Sequence, residues 1–461
     1  MKHIDICDIL KTPEQYIDKE ITVCGWLKSV RDSKSVGFLA IGDGTALTTL
    51  QAVVDKAKMS NADEILHLGV GSSVAVKGTL VKSAGGGQSC EIQATEIEVL
   101  GVCPNDYPLQ KKKHSLEFLR TIPHLRGRTN TFNAMFRIRS ELAKAIHGFF
   151  GSRNFTYVHT PIITGSDCEG AGEIFRVTTN NYEHGFKSED EYYKNDFFGR
   201  KAGLTVSGQL EGETLALAMG KIYTFGPTFR AENSNTARHA AEFWQIEPEV
   251  AFADLHDIIE LATDMIKSIT KHVLDNCDEE LSFFEKFYEA GLKDKLRNIV
   301  DSEFAILDYT DAIEYLLKAD VDFKYPVSWG LDLQTEHERY LTDKLFKRPV
   351  FVINYPKEIK SFYMKQNPDG KTVAATDLLV PGVGEIIGAS QREDNYELLL
   401  EQIEKRGMNK EDYLQYLDLR KFGTTPHSGY GLGFERMLMY VTGIGNIRDT
   451  IAFPRTTGSL V

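Results

Sequence analysis

Between Ile21 and Val99 the chain repeats one pattern. Apolar or β-branched residues alternate or cluster in five short segments, Ile21–Trp26, Gly37–Ile41, Leu47–Val54, Val74–Leu80 and Cys90–Val99. A period of two places alternate side chains on one face, which a strand satisfies and a helix does not. Asp43-Gly44 and Gly85-Gly86-Gly87 supply turns, and one helix-like segment, Ala62–Leu68, separates the third strand from the fourth. Five short strands with a helix after the third predict a small OB-type barrel. Such barrels either bind single-stranded nucleic acid or serve as plain structural domains, so the fold by itself does not choose.

The pattern then changes. The stretch from Gly101 to Pro123 carries three prolines and the run Lys111-Lys112-Lys113, and it reads as a linker. Phe136, Ile138, Leu142, Ile146 and Phe149 follow at helical spacing, with Gly151 as a stop. Strands are expected at Phe155–Ile163, Leu204–Val206, Ile222–Phe225, Glu242–Val250, Val350–Ile353 and Gly384–Ile387, and helices at Asp254–Cys277 and Glu435–Thr442. Mixed strands with clustered helices indicate an α+β domain rather than alternating βαβ units. At 461 residues the chain has room for several domains. The expected division is a barrel at 1–104, a linker or hinge at 105–125 and a larger domain at 126–461.

Composition narrows the functional classes. No apolar run reaches the roughly 18 residues of a membrane span, and Met1-Lys2-His3-Ile4-Asp5 lacks a secretory pattern, so a cytoplasmic protein with no membrane partner is expected. Six cysteines are scattered without a CxxC pair, which supports neither a zinc site nor a disulfide framework. A net charge of -13 argues against a protein that coats nucleic acid indiscriminately. Any RNA contact must be local. One basic stretch qualifies: Lys111 to Arg139 holds eight Lys or Arg against the single acid Glu117.

Two stretches carry chemistry. In Lys221–Glu232 an apolar strand ends in Phe229-Arg230-Ala231-Glu232, then a polar loop leads to a second strand beginning Glu242-Phe243. An arginine at such a strand end can clamp a phosphate bidentately, and an acid two residues on, facing the same side, can accept hydrogen bonds from a base amino group. An isolated Arg-x-Glu on a hairpin is also consistent with an ordinary surface ion pair. The second stretch, Gly429-Tyr-Gly-Leu-Gly-Phe-Glu-Arg436, reads as a strand running into a buried helix with the arginine at the junction, and it lacks the spacing of a dinucleotide fingerprint.

In order along the chain, the helix to Gly151 with Thr160-Pro161-Ile162-Ile163, then Phe229-Arg230-Ala231-Glu232 with Glu242-Phe243, then Gly431 to Arg436 resemble motifs 1, 2 and 3 of class II aminoacyl-tRNA synthetases. The preceding barrel is similar to the anticodon-binding domain of the aspartyl, asparaginyl and lysyl subgroup. The resemblance implies a catalytic domain built on an antiparallel sheet flanked by helices, a homodimer joined near Pro161, ATP as substrate and Mg2+ as cofactor. It also implies that Arg230 binds the α-phosphate, Glu232 the adenine amino group, Phe243 the adenine face and Arg436 the γ-phosphate end, with His239 and Glu385 also in the ATP site, while Asp377 and Glu385 hold the metal. Arg230 and Arg436 are then the catalytic pair, since adenylation needs charge stabilisation and positioning rather than a protein nucleophile.

The amino acid is asparagine or aspartate on this resemblance. Aspartate-specific relatives show Ser-Pro-Gln-x-x-Lys, whereas here Ser207-Gly208-Gln209-Leu210-Glu211-Gly212 lacks the lysine. Glu247, in Ile246-Glu247-Pro248-Glu249, is an acceptor for a carboxamide NH2, and Arg392 a donor for its oxygen. With Ser207, Gln209 and the loop acid Glu169 these form the expected asparagine site, the tRNA that accepts asparagine is the implied partner, and the alternative is an aspartate enzyme, including its non-discriminating form. By the same resemblance Phe38 stacks on an anticodon base, Gln51 and Glu96 read neighbouring bases, and Arg31 meets a phosphate.

Overall fold

The computed structural model describes residues 2–83, 85, 87–166, 168, 174–181, 185, 188–234 and 236–460. It divides into two compact units, Met1–Ala134 and Met135–Val461, the division falling inside a helix that runs Asn130–Gly151.

The first unit contains the expected barrel. Strands β1 (Glu20–Asp32), β2 (Val36–Gly42), β3 (Leu50–Asp55), β4 (Ser73–Lys82) and β5 (Cys90–Gly101) close in the order β1-β2-β3-β5-β4, with a helix at Ala62–Leu66 after the third strand. Val23, Leu39, Ile41, Ala52, Val54, Val76 and Ile92 fill the interior. On β2 the alternation that buries Leu39 and Ile41 leaves Phe38 half-buried on the outer face. The segment 105–125 is less plain a linker than its prolines suggest: Ser115 caps a helix at Leu116–Thr121, its hydroxyl accepting from Phe118 N–H, and a further turn spans Pro123–Arg126.

The second unit contributes β6 (Thr156–Tyr157), β7 (Ile163–Thr164), β8 (Gly203–Leu204), β9 (Lys221–Phe229), β10 (Glu242–Ala251), β11 (Ala305–Asp308), β12 (Val350–Ile353), β13 (Ala375–Val380), β14 (Gly384–Gln391) and β15 (His427–Gly433). Eight of these form one sheet in the order β11-β12-β13-β14-β15-β10-β9-β6, and β7 pairs with β8 separately. The sheet is antiparallel through its centre and parallel at both edges, where β11 joins β12 and β6 joins β9. The strand expected over Phe155–Ile163 therefore exists only as two short pieces. Pro161 interrupts it, since proline cannot donate to a ladder.

Helices Leu255–Asn276 and Phe434–Thr442 pack against the sheet. Asp254 starts the first with a capping box, accepting from His256 and Asp257 N–H while Asp257 accepts from Asp254 N–H. Among the described residues no helix is long and apolar enough to cross a membrane, and no disulfide joins any cysteines.

Candidate active site

β9, β10, β14 and β15 lie side by side, and a cavity with about 810 Å³ of empty space, part of it open to solvent, sits on them. Arg230, Glu232, His239, Phe243, Glu385 and Arg436 all line it, so the six residues assigned to ATP converge from four separate stretches of chain. β9 ends at Phe229, one residue before Arg230. The common orientation of Arg230 and Glu232 thus comes from the loop rather than from the strand pleat, and the Arg230 N–H to Ala241 carbonyl bond of 3.0 Å closes the neck of that loop.

The cavity carries more positive charge than its predicted arginines supply. Arg230 stacks its guanidinium 5.5 Å from the Phe243 ring centroid. Arg436 donates from Nη1 to the Glu385 carbonyl at 3.2 Å and to Glu385 Oε2 at 3.3 Å. Arg238 lines the same wall and donates to Thr335 Oγ1 at 3.1 Å. Burial, and then the nearby Arg436, lower the His239 imidazole below its ordinary value, and its Nδ1 sits 2.7 Å from Ser234 Oγ and 2.8 Å from Thr236 Oγ1.

Asp377 on β13 and Glu385 on β14 face one another across Gly388. A Cβ on that glycine would lie 3.5 Å from Glu385 Oε1 and 3.7 Å from Asp377 Oδ1. Lys360 reaches Asp377 Oδ2 at 2.6 Å. Burial works against ionisation of Glu385, but Arg436, Lys360 and Arg230 outweigh it and hold the carboxyl below its ordinary value. A third acid completes this corner. Glu338 accepts the Glu385 N–H at 3.3 Å, and burial followed by the Glu385 charge pushes it up to about 7. Gly384 makes room for it: the backbone has φ +90°, and a Cβ there would come within 2.2 Å of Glu338 Oε2.

Beside the cavity runs a buried polar network holding four of the residues assigned to asparagine. Ser207 Oγ donates to Glu247 Oε1 at 2.5 Å, and Glu247 Oε2 accepts from Gly208 N–H at 3.0 Å and Thr224 Oγ1 at 3.1 Å. Gln209 Nε2 donates to Glu213 Oε1 at 2.9 Å. Arg392 does not pair with Glu247. It binds Glu249 bidentately, Nε to Oε2 at 3.1 Å and Nη2 to Oε1 at 2.5 Å, and donates to Ser390 Oγ at 2.7 Å. Glu169 lies outside the described residues.

Glu213 is the hub that sequence reasoning missed. It is fully buried and accepts from Gln209, Tyr416 Oη at 2.7 Å and Arg420 Nη2 at 2.7 Å, with His427 Nε2 at 2.9 Å. Burial opposes its ionisation, yet Arg420, His427 and Arg392 hold it well below the carboxylate range. A partial signal was present: Glu213 stands four residues after Gln209 on one helix, and Glu249 two residues after Glu247 on one strand, spacings that share a face. Tyr416, Arg420 and Lys360 come from distant segments and left no local trace.

On the barrel, Arg31, Phe38 and Gln51 are brought together. The Arg31 guanidinium lies 5.2 Å from the Phe38 ring centroid and donates from Nη2 to Gln51 Oε1 at 3.1 Å. Glu96 is exposed and pairs across the β4–β5 hairpin with Lys77. Glu91, Ile92 and Gln93, rather than Glu96, are the β5 residues registered with β3.

Residues 115–457 match the family model described as tRNA synthetases class II (D, K and N), and residues 21–100 match that of the OB-fold nucleic acid binding domain. The chain is 57% identical over 461 residues to a protein of Acetivibrio thermocellus named asparagine–tRNA ligase, covering 100% of this chain and 99% of that one. A protein of the same name from Geotalea uraniireducens is 58% identical over 95% of each chain. Among solved structures, asparaginyl-tRNA synthetase from Pyrococcus horikoshii complexed with asparaginyl-adenylate superposes with a TM-score of 0.89 at 32% identity, covering 100% of this chain and 99% of that one.

Proposed function

The chain belongs to the class II tRNA synthetases of the D, K and N type, and from that premise we propose that it is an asparagine–tRNA ligase. It condenses asparagine with ATP to asparaginyl-adenylate and pyrophosphate, then passes asparagine to the 3'-terminal adenosine of its tRNA.

One observation carries the choice of amino acid: Arg392 is already neutralised by a bidentate bond to Glu249, and no lysine stands at Gly212. An aspartate side chain meets Glu247 with no surplus cation to balance it. A carboxamide instead finds an acceptor in Glu247 and a donor in the remaining Arg392 N–H groups.

In the first step the asparagine carboxylate oxygen attacks the α-phosphorus and pyrophosphate leaves. Arg230 meets the charge that grows on the α-phosphate oxygens, while Arg436 and His239 hold the far end of the triphosphate. Phe243 stacks on adenine, Glu232 accepts from its amino group, and Gln209 with Ser207 orients the amino acid. In the second step a ribose hydroxyl of the tRNA attacks the activated carbonyl and AMP departs. Positioning and fixed charge do the work, so no side chain is consumed.

The facing Asp377 and Glu385 oxygens suit Mg2+, and the like-charge crowding between them is what a divalent cation relieves. When bound, Mg2+ neutralises phosphate oxygens.

By the same reading, residues 1–104 bind the anticodon through Arg31, Phe38, Gln51 and Glu96, 105–125 link, and 126–461 catalyse in the cytoplasm. Two copies join at the face where Tyr157, Ile162, Ile163 and Trp244 leave apolar area exposed. The test is pyrophosphate exchange into ATP with each amino acid in turn. Asparagine is expected to exceed aspartate by about 10⁴, since the mismatched side chain is repelled in a buried site. Equal or greater exchange with aspartate would overturn the assignment.

A further inference from the structure

The outer face of the barrel holds a carboxylate whose partners go beyond what packing needs. Glu91 on β5 is the register partner of Gln51 on β3. Its Oε2 accepts from Gln51 Nε2 at 3.1 Å, from Ser83 Oγ at 3.0 Å and from Gln88 Nε2 at 3.1 Å, and its Oε1 accepts from Gln93 Nε2 at 3.3 Å. The other end of the same Gln51 amide is held by Arg31, which donates to Oε1.

A glutamine amide ordinarily turns over at little cost, exchanging its donor and acceptor ends. Here it is fixed. Turned over, its NH2 would face the guanidinium and its carbonyl the carboxylate, and both contacts would be repulsive. Gln51 is therefore left with one free lone pair and one free N–H in a set order, beside the Phe38 ring. That is the arrangement needed to recognise one base edge and refuse another.

We infer that Glu91 is a specificity-determining positioning residue: it locks the orientation of Gln51 and so decides which anticodon base that amide accepts. Through Ser83 and Gln88 it also ties the connection between β4 and β5 to the same face. The inference rests on the reading of this barrel face as the anticodon site.

The experiment uses the full-length enzyme and measures tRNA charging for the cognate transcript and for transcripts with each anticodon base changed singly. Asparagine-dependent exchange is followed in parallel. Glu91→Gln is expected to raise KM for cognate tRNA about tenfold, the worth of a charge-assisted hydrogen bond, with exchange unchanged. Discrimination should fall at one anticodon position and hold at the other two. Gln51→Leu should lose the same discrimination, and adding Glu91→Gln to it should cost nothing more, because the effect passes through the amide. Glu91→Asp, which keeps the charge, should recover part of the loss. A uniform drop across all transcripts, or a full additional loss in the double variant, would show Glu91 to be merely structural and sink the inference. Phe38→Ala separates the two readings: if it leaves KM for tRNA unmoved, the anticodon reading itself fails and this inference with it.

Discussion

Arg230 illustrates how a single residue can be legible in sequence while its setting is not. Its place before a polar loop marked it as a phosphate clamp, and it lines the cavity with Glu385 and Arg436. Its proposed role lies in the charge of the transition state, so Arg230→Ala should lower asparagine-dependent exchange by about 10² to 10³ and leave the thermal midpoint nearly unchanged. Comparable losses in both would place the residue in the fold instead. Glu213 is the opposite case. Beyond its spacing from Gln209, nothing in Gly212-Glu213 announces a buried hub, because Tyr416, Arg420 and His427 arrive from 203 to 214 positions away. Its folded-state value is depressed, so the stability it contributes is present above its ordinary value of 4.5 and is lost as pH falls below that toward the lower folded value. Glu213→Gln strands the buried Arg420 and should cost about 3–5 kcal/mol near neutral pH. It should also flatten the acid limb of stability below pH 4.5, read as the urea midpoint against pH; an unchanged limb would remove Glu213 from the acid response.

At the scale of elements, the strands that carry the site were the easiest to read and the ones between them the hardest. β9, β10 and β14 announce themselves by apolar runs, and Val350–Ile353 matches β12 residue for residue. β13 and the helices between Asp278 and Phe346 were not anticipated, since their apolar residues pack into local clusters without a long single period. The close approach of β15 to β10 also depends on something periodicity does not show. A Cβ on Gly429 would lie 2.2 Å from Glu249 Oε1, and Glu249 has nowhere to go while Arg392 grips both its oxygens. Gly429→Ala should therefore lower stability by about 1–3 kcal/mol and raise KM for asparagine by displacing Arg392. Gly226 on β9 is the control, because nothing lies within 4 Å of its Cβ position. Gly226→Ala should change neither quantity appreciably. Equal effects at the two glycines would mean that the loss is a general strand effect and not the displaced ion pair.

For the whole molecule, the change from period-two segments to mixed helix and strand near residue 101 separates two folds and, on the proposed function, two jobs. The barrel has its own interior of Val23, Leu39, Ile41, Val54, Val76 and Ile92, and the proposed base-reading side chains stand on its outer face. Every residue lining the proposed ATP cavity lies beyond Met135, as do Ser207, Gln209, Glu247 and Arg392. Adenylation involves only small molecules, so it should need only the second set. A chain reduced to residues 126–461 is then expected to keep asparagine-dependent exchange within a few-fold of the full chain. Charging is different, because its tRNA must be chosen from others that share the same 3' end. Loss of the stacking and hydrogen bonds at the barrel face should lower kcat/KM for tRNA by about a hundredfold, the worth of one or two stacked bases. It should also abolish discrimination between anticodon variants. Both quantities can be measured on one preparation, with circular dichroism to establish that the shortened chain is folded. A folded fragment that loses exchange as completely as charging would show that the catalytic site depends on residues 1–125, and the division of labour proposed for the chain would have to be given up.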